Sequence, residues 1–186
     1  MNKKPYVVAV AGGTCSGKST ITESINKAFK EDYKVTVFNM DSYFKKNPPK
    51  TIAPITRIEY VEHNHPTSLE LSRLLEDFKG AIKGDSDLIL IEGLFALHID
   101  EIRESADFKI FVDLASDARL VRRITKHMGF GQTYEQVTSR YIDTVRFRHD
   151  ELIEDTRWHA DVVVNGTLDS NKGAEVVIMY IASQLK

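Results

Sequence analysis

Gly12-Gly13-Thr14-Cys15-Ser16-Gly17-Lys18-Ser19 spells G-x-x-x-x-G-K-[ST], a spacing whose chemistry is phosphate binding. Its glycines let the backbone wrap closely, so that successive N–H groups point at phosphate oxygens, and a helix N-terminus behind the loop adds partial positive charge. Contacts to a nucleotide are expected from Gly12, Gly13, Thr14, Cys15, Ser16, Gly17, Lys18, Ser19 and Thr20, with Lys18 on the outer phosphates and the Ser19 hydroxyl on Mg²⁺. Two carboxylates complete the acidic side. Asp41 is placed to take a proton from an attacking hydroxyl, or to hold Mg²⁺. Glu92 ends the run Leu88-Ile89-Leu90-Ile91 and precedes Gly93, the position of an acid that holds Mg²⁺ directly or through water. Asp113, followed by Leu114-Ala115-Ser116-Asp117, reads equally well as a helix cap. The cationic side is Arg119, Arg122 and Arg123, with Lys126 one turn on and Arg140 beyond. A transferring phosphoryl group spreads charge over three oxygens that arginines can neutralise, whereas the plainer reading of such a run is a solvated helix face.

These residues need a scaffold, and the hydrophobic pattern supplies one. Strands are expected at residues 6–11, 35–38, 88–91, 108–112 and 162–164. Helical patterns fall between them: one directly after the glycine loop (Ile21, Ile25, Ala28, Phe29), then near 67–79, 115–128, 134–155 and 171–185. Thr67 or Ser68 can cap the second, with Glu70 in its first turn, and Asp169 or Ser170 the last. This alternation predicts an α/β fold, a mostly parallel sheet with helices on both faces. Ligands of such sheets sit beyond the carboxyl ends of strands, where Asp41, Glu92 and Asp113 all fall. Residues 45–64, with three of the five prolines, are the least regular stretch, and a loop that long is usually functional or mobile. Met128-Gly129-Phe130-Gly131-Gln132 separates two helices with the glycine hinges of a lid.

A chain of 186 residues suits a single domain. The net charge of −2, with no Lys/Arg tract, does not point to nucleic acid or an anionic membrane surface, and no apolar run approaches the ~20 residues of a membrane span. The first residues run straight into a strand, so no leader is expected. The single cysteine, Cys15, excludes internal disulfides, fits a reducing cytoplasm, and reads as a loop position used for its backbone. A guanine-binding Asn-Lys-x-Asp is not met, because Asn171-Lys172-Gly173-Ala174 lacks the aspartate. The composition leaves a homo-oligomer open.

Beyond the phosphate loop, the chain resembles the uridine kinase branch of the P-loop kinases, the group that also holds phosphoribulokinase. Asp41-Ser42-Tyr43-Phe44 is similar to the family's Asp-x-[Phe/Tyr]-[Phe/Tyr], Asn64-His65-Pro66 to its Asp-His-Pro, and Ile91-Glu92-Gly93-Leu94 to its Glu-Gly segment. Ala118-Arg119-Leu120-Val121-Arg122-Arg123 resembles the stretch that ends in paired arginines, and His159-Ala160-Asp161 resembles Tyr-Ala-Asp. The resemblance implies a three-layer P-loop kinase fold with strand order 2-3-1-4-5, and ATP-dependent, Mg²⁺-assisted phosphorylation of a hydroxyl on a small nucleoside-like metabolite. It makes Asp41 the catalytic base and Arg123 a ligand of the transferring phosphate, helped by Arg119, Lys126 or Arg140, with Lys18 cradling the phosphates. Tyr43, Phe44, His65 and Arg140 then fall to the acceptor, the lid to residues 126–134, and the acceptor-binding segment to 41–66. Three departures stand out. The family's base-gripping hairpin has no room between residue 79 and the strand at 88, the lid reads His127-Met128-Gly129-Phe130-Gly131-Gln132-Thr133 without its two arginines, and Asn64 replaces an aspartate. The related nicotinamide riboside kinases, equally compact, and a regulatory nucleotide-binding protein without catalysis are the alternatives. The retained Asp41 and Glu92 speak against the second.

Overall fold

The structure is a computed structural model that describes residues 4–167 and 172–185. In chain order it runs β1 (Tyr6–Gly12), α1 (Lys18–Phe29), β2 (Val35–Asn39), β3 (Lys50–Ile52), β4 (Glu59–Val61), α2 (Leu71–Lys83), β5 (Leu88–Glu92), α3 (Asp100–Ser105), β6 (Phe108–Asp113), α4 (Ser116–Met128), α5 (Tyr134–Arg140), α6 (Arg146–Leu152), β7 (Val162–Asn165) and α7 (Lys172–Gln184). Five strands form one parallel sheet in the order β2-β5-β1-β6-β7. With the separate β3–β4 pair set aside, that is the expected 2-3-1-4-5.

The sheet is central because its strands are apolar on both sides. All five residues of β5 are buried, as a strand covered on both faces requires. Alternation along β1 divides the core. Val7, Ala9 and Ala11 pack with Leu74 and Phe78 of α2 and Ile102 of α3. Val8 and Val10 pack with Ile25 and Phe29 of α1 and Val177 and Ile181 of α7. Register then sets the working edge. Val10 of β1 and Asn39 of β2 both pair with Glu92, so the phosphate loop, Asp41 and Glu92 leave the sheet at one level.

Several local expectations change. The helix placed at 67–79 is preceded by a 3₁₀ turn at Pro66–Ser68, whose cap is the His65 side chain accepting from the Thr67 N–H, so neither Thr67 nor Ser68 caps α2. Leu69 is extended and forms a bridge to Phe44, which holds the chain out of helix until Leu71. The irregular stretch at 45–64 contains the antiparallel hairpin β3–β4. The long helix at 134–155 is α5 and α6 joined through a π turn at Tyr141–Val145, with a 3₁₀ turn at Glu154–His159. Asp113 caps nothing: α4 starts behind Ala115 with no side-chain cap, and Asp113 accepts from Arg157 Nη2 at 2.8 Å. Helix α3 was not foreseen, since six residues are too few for a helical period to register. The proposed caps Asp169 and Ser170, and Asn171 of the rejected guanine motif, lie outside the described residues. Only residues 84–87 join α2 to β5, so no hairpin stands there. Among the described residues no helix is long and apolar enough to cross a membrane.

Candidate active site

The phosphate loop is shaped by what its backbone must do. Gly12 has φ +143°, and a Cβ there would collide with the Val112 carbonyl oxygen. Gly17 has φ +109° and directly precedes α1, which has no side-chain cap and no acid in its first turn. The first N–H groups of α1 are therefore left for an incoming anion. The Ser16 hydroxyl is buried without a partner, close against Gly12, and does not line the cleft. Lys18 Nζ donates to the Gly13 carbonyl at 3.0 Å, curled over the cradle. Burial pulls its pKa down, while Glu92 and Asp41 hold it up.

The loop opens on a cleft of ≈ 870 Å³ whose floor includes Thr14, Cys15, Gly17, Lys18, Ser19 and Thr20. Ser19 Oγ donates to Glu92 Oε1 at 3.0 Å. Glu92 is buried, and that burial raises its pKa against the pull of Lys18 and Ser19. This hydroxyl–carboxylate pair beside Asp41 is the hard-oxygen donor set that Mg²⁺ takes when phosphates and water supply the remaining ligands. Among the described residues no cluster of three His, Cys, Asp or Glu could hold a metal unaided. Asp41 lines the cleft and is exposed, in a 3₁₀ turn whose cap Asn39 Oδ1 accepts from the Asp41 N–H at 2.8 Å.

α4 carries the cations. Arg122, Arg123 and Lys126 line the cleft. Arg123 Nη1 donates to Thr14 Oγ1 at 2.9 Å, while its Nε is buried without a partner. Burial lowers the Arg123 pKa, as it does that of Arg140. Arg119 has another task. Its Nε donates to the Leu114 carbonyl at 3.0 Å, and the guanidinium lies so close under the loop that a Cβ on Gly13 would come within 2.7 Å of Nη1. It braces the loop from below and does not line the cleft. Arg140 reaches in from α5, with Nη2 bonded to the Val61 carbonyl and, at 2.9 Å, to His63 Nδ1. The turn between α4 and α5 is a hydrogen-bonded corner: the Phe130, Gly131 and Gln132 N–H groups donate to His127, Met128 and His127 carbonyls, and the Thr133–Gln136 capping box starts α5.

On the acceptor side the sequence-based assignment divides. Asp41, Phe44 and Arg140 line the cleft, and Tyr43 and His65 do not. Tyr43 faces α2, where its hydroxyl donates to Asp77 at 2.9 Å and Arg73 stacks on its ring. His65 is spent on its 3₁₀ cap and on Thr67 Oγ1. His63, which no motif singles out, lines the cleft, together with Asn64 of the Asn64-His65-Pro66 motif. His127 and Phe130 of the α4–α5 corner also line it. The far wall is Val164 and Asn165 of β7 and Gly166 just after it, with Gly173 and Ala174 of α7.

A central parallel sheet with a glycine-wrapped anion cradle at its carboxyl edge, an acid one strand over and arginines overhead defines a P-loop kinase. A family model described as "Phosphoribulokinase / Uridine kinase family" matches residues 55–171, and the chain belongs to that family. Membership carries the enzyme class with it, an ATP-dependent small-molecule kinase. Among curated relatives, a uridine kinase of Clostridium novyi is 29% identical over 87% of each chain. Uridine-cytidine kinase B of Dictyostelium discoideum is 30% identical over 99% of this chain and 84% of its own. Phosphoribulokinase from Rhodobacter spheroides superposes with a TM-score of 0.62 at 16% identity, over 87% of this chain and 70% of its own, a likeness of fold.

Proposed function

We propose that the protein transfers the γ-phosphoryl group of ATP to a hydroxyl of a small nucleoside-like acceptor. The observation that carries this reading is the meeting of Lys18, Ser19–Glu92 and the free carboxylate of Asp41 in one cleft, opposite Arg123. Loop N–H groups and Lys18 would hold the phosphates. Ser19 and Glu92 would hold Mg²⁺, which when bound neutralises charge on the phosphate oxygens. Asp41 would accept the proton of the attacking hydroxyl, its carboxylate lying open to the cleft. Arg123 would turn from Thr14 to the transferring group and stabilise its charge, with Lys126 and Arg140 in place of further lid arginines. Phe44, His63 and Asn64 would form the acceptor wall within the segment 41–66, and the 126–134 corner would cover the phosphates. Relatives named as uridine kinases support a nucleoside as acceptor.

The test is ATP consumption by the purified protein with Mg²⁺ across uridine, cytidine, nicotinamide riboside and simple sugar alcohols. Turnover on a nucleoside is expected. Binding of ATP with no turnover on any acceptor would instead support a regulatory role.

A further inference from the structure

The segment that anchors the β3–β4 hairpin also reaches the phosphate loop. Thr56 and Tyr60 donate to Asp143 Oδ2 at 2.9 and 2.7 Å, and the π turn that carries Asp143 runs on into α6. α6 brings His149 to a second, smaller cavity of ≈ 10 Å³ beside the main cleft. Thr14 and Asn64 line both cavities. Leu94, Val145 and Ile153 give the small one its apolar walls, and the Arg148 guanidinium is spent on Glu62, Glu151 and Thr51.

His149 is 7% exposed, and its Nδ1 has no partner among the described residues. Its Nε2 lies 2.8 Å from Glu154 Oε2, while the other Glu154 oxygen accepts from Arg157 Nη1 at 2.6 Å. A carboxylate only accepts, so the proton of a neutral ring sits on Nε2 and Nδ1 is left as a buried acceptor. Burial, and then Arg119, favour that neutral ring over the support that Glu154 and Asp150 give the cation. Thr14 is incompletely paired as well. Its Oγ1 accepts from Arg123 Nη1 at 2.9 Å, and its own proton has only the Cys15 sulfur, a weak acceptor at 3.8 Å. A lone acceptor, a hydroxyl and the Asn64 amide around a space of this size suit one water, which needs about 10–15 Å³ and two to four polar partners.

We propose that His149 is a positioning residue of the phosphate loop: its Nδ1 accepts from one buried water that also bonds the Thr14 hydroxyl and the Asn64 amide. The water passes the fixed orientation of the Glu154–His149 pair on to Thr14. This deepens the kinase reading and rests on it. When Arg123 turns to the transferring phosphate, the water keeps the Thr14 hydroxyl paired, and the loop holds its shape under the nucleotide.

Two measurements test it. A high-resolution crystal structure of the full chain without nucleotide should show one water within hydrogen-bond reach of His149 Nδ1 and of Thr14 or Asn64. A dry cavity, or His149 Nδ1 bonded to protein, would overturn the proposal whatever the enzyme's activity. The second is calorimetric titration of ATP with Mg²⁺ into wild type, His149→Asn and His149→Gln. The Asn amide falls near the place of Nδ1 and keeps the water, whereas the Gln amide falls near the place of Nε2 and keeps Glu154. His149→Gln should bind ATP about tenfold more weakly, the size of one neutral hydrogen bond, and His149→Asn within about threefold of wild type. The reverse order would reduce His149 to a partner of Glu154 and sink the positioning role, leaving the kinase reading standing. Equal affinity in the two variants would sink it as well. A wild type that binds no ATP would sink the kinase reading and the positioning role with it.

Discussion

At the scale of single residues, the cleft is a collection of donors with too few acceptors. Burial is the leading cause lowering the pKa of Lys18, Arg123, Arg140 and His127 alike. Ser16 Oγ, Arg123 Nε and Arg140 Nε are buried without partners. Unpaired buried donors cost free energy that an incoming polyanion offsets. His127 gives this a pH signature. Burial, then Arg123, Lys126 and Arg140, push its pKa down to about 4 from an ordinary value of 6.5. Between those values the unfolded chain binds the proton and the folded chain does not, so this residue makes stability fall as pH drops through that window. His127→Asn should flatten the decline of Tm between pH 6.5 and 4, where His63 and His149 act in the same direction and Glu92 in the opposite one. An unaltered slope would show that His127 is not held neutral. Lys18, Ser19, Glu92 and Asp41, which loop spacing and strand ends single out, and Arg123, which the family resemblance singles out, line one cleft. Tyr43 and His65 misled because their immediate neighbours compete for them: Asp77 and Arg73 take the one, and Pro66 with Thr67 takes the other.

Among the elements, the sheet and its covering helices could be read directly, since strands buried on both faces leave long apolar runs. The β3–β4 hairpin could not. Its strands are three residues each, and its anchor Asp143 lies 83 residues beyond Tyr60 and 87 beyond Thr56. No local pattern encodes such a contact. The π turn that carries Asp143 buries Tyr141, Asp143, Thr144 and Val145, a wider face than one α-helical stripe presents. Asp143→Ala strands two hydroxyls and releases the hairpin. It should lower stability by about 1–3 kcal/mol in denaturant titration. It should also raise acceptor KM and leave ATP binding intact, because the phosphate loop is braced separately. That brace includes Gly166, whose missing Cβ lets the chain after β7 lie directly against the Ser16 carbonyl. Equal loss of ATP and acceptor binding would contradict this division.

Over the whole molecule, a chain of net charge −2 concentrates Lys18, Arg122, Arg123, Lys126 and Arg140 around one cleft, against Asp41 and Glu92. Such focusing draws a nucleotide polyanion to a site that the rest of the surface does not favour. The parallel sheet delivers loop and acids to one edge, and His63, Asn64 and Arg140 of α5 line the cleft with them. Phosphoryl transfer follows from that convergence only if Asp41 takes the acceptor's proton. The direct measurement is single-turnover phosphoryl transfer from Mg²⁺·ATP by Asp41→Asn, on the acceptor that wild type turns over fastest, beside calorimetric titration of ATP. The rate should fall by about 10²–10⁴-fold, the usual worth of a general base, with ATP affinity unchanged. A rate within a few fold of wild type would contradict the account.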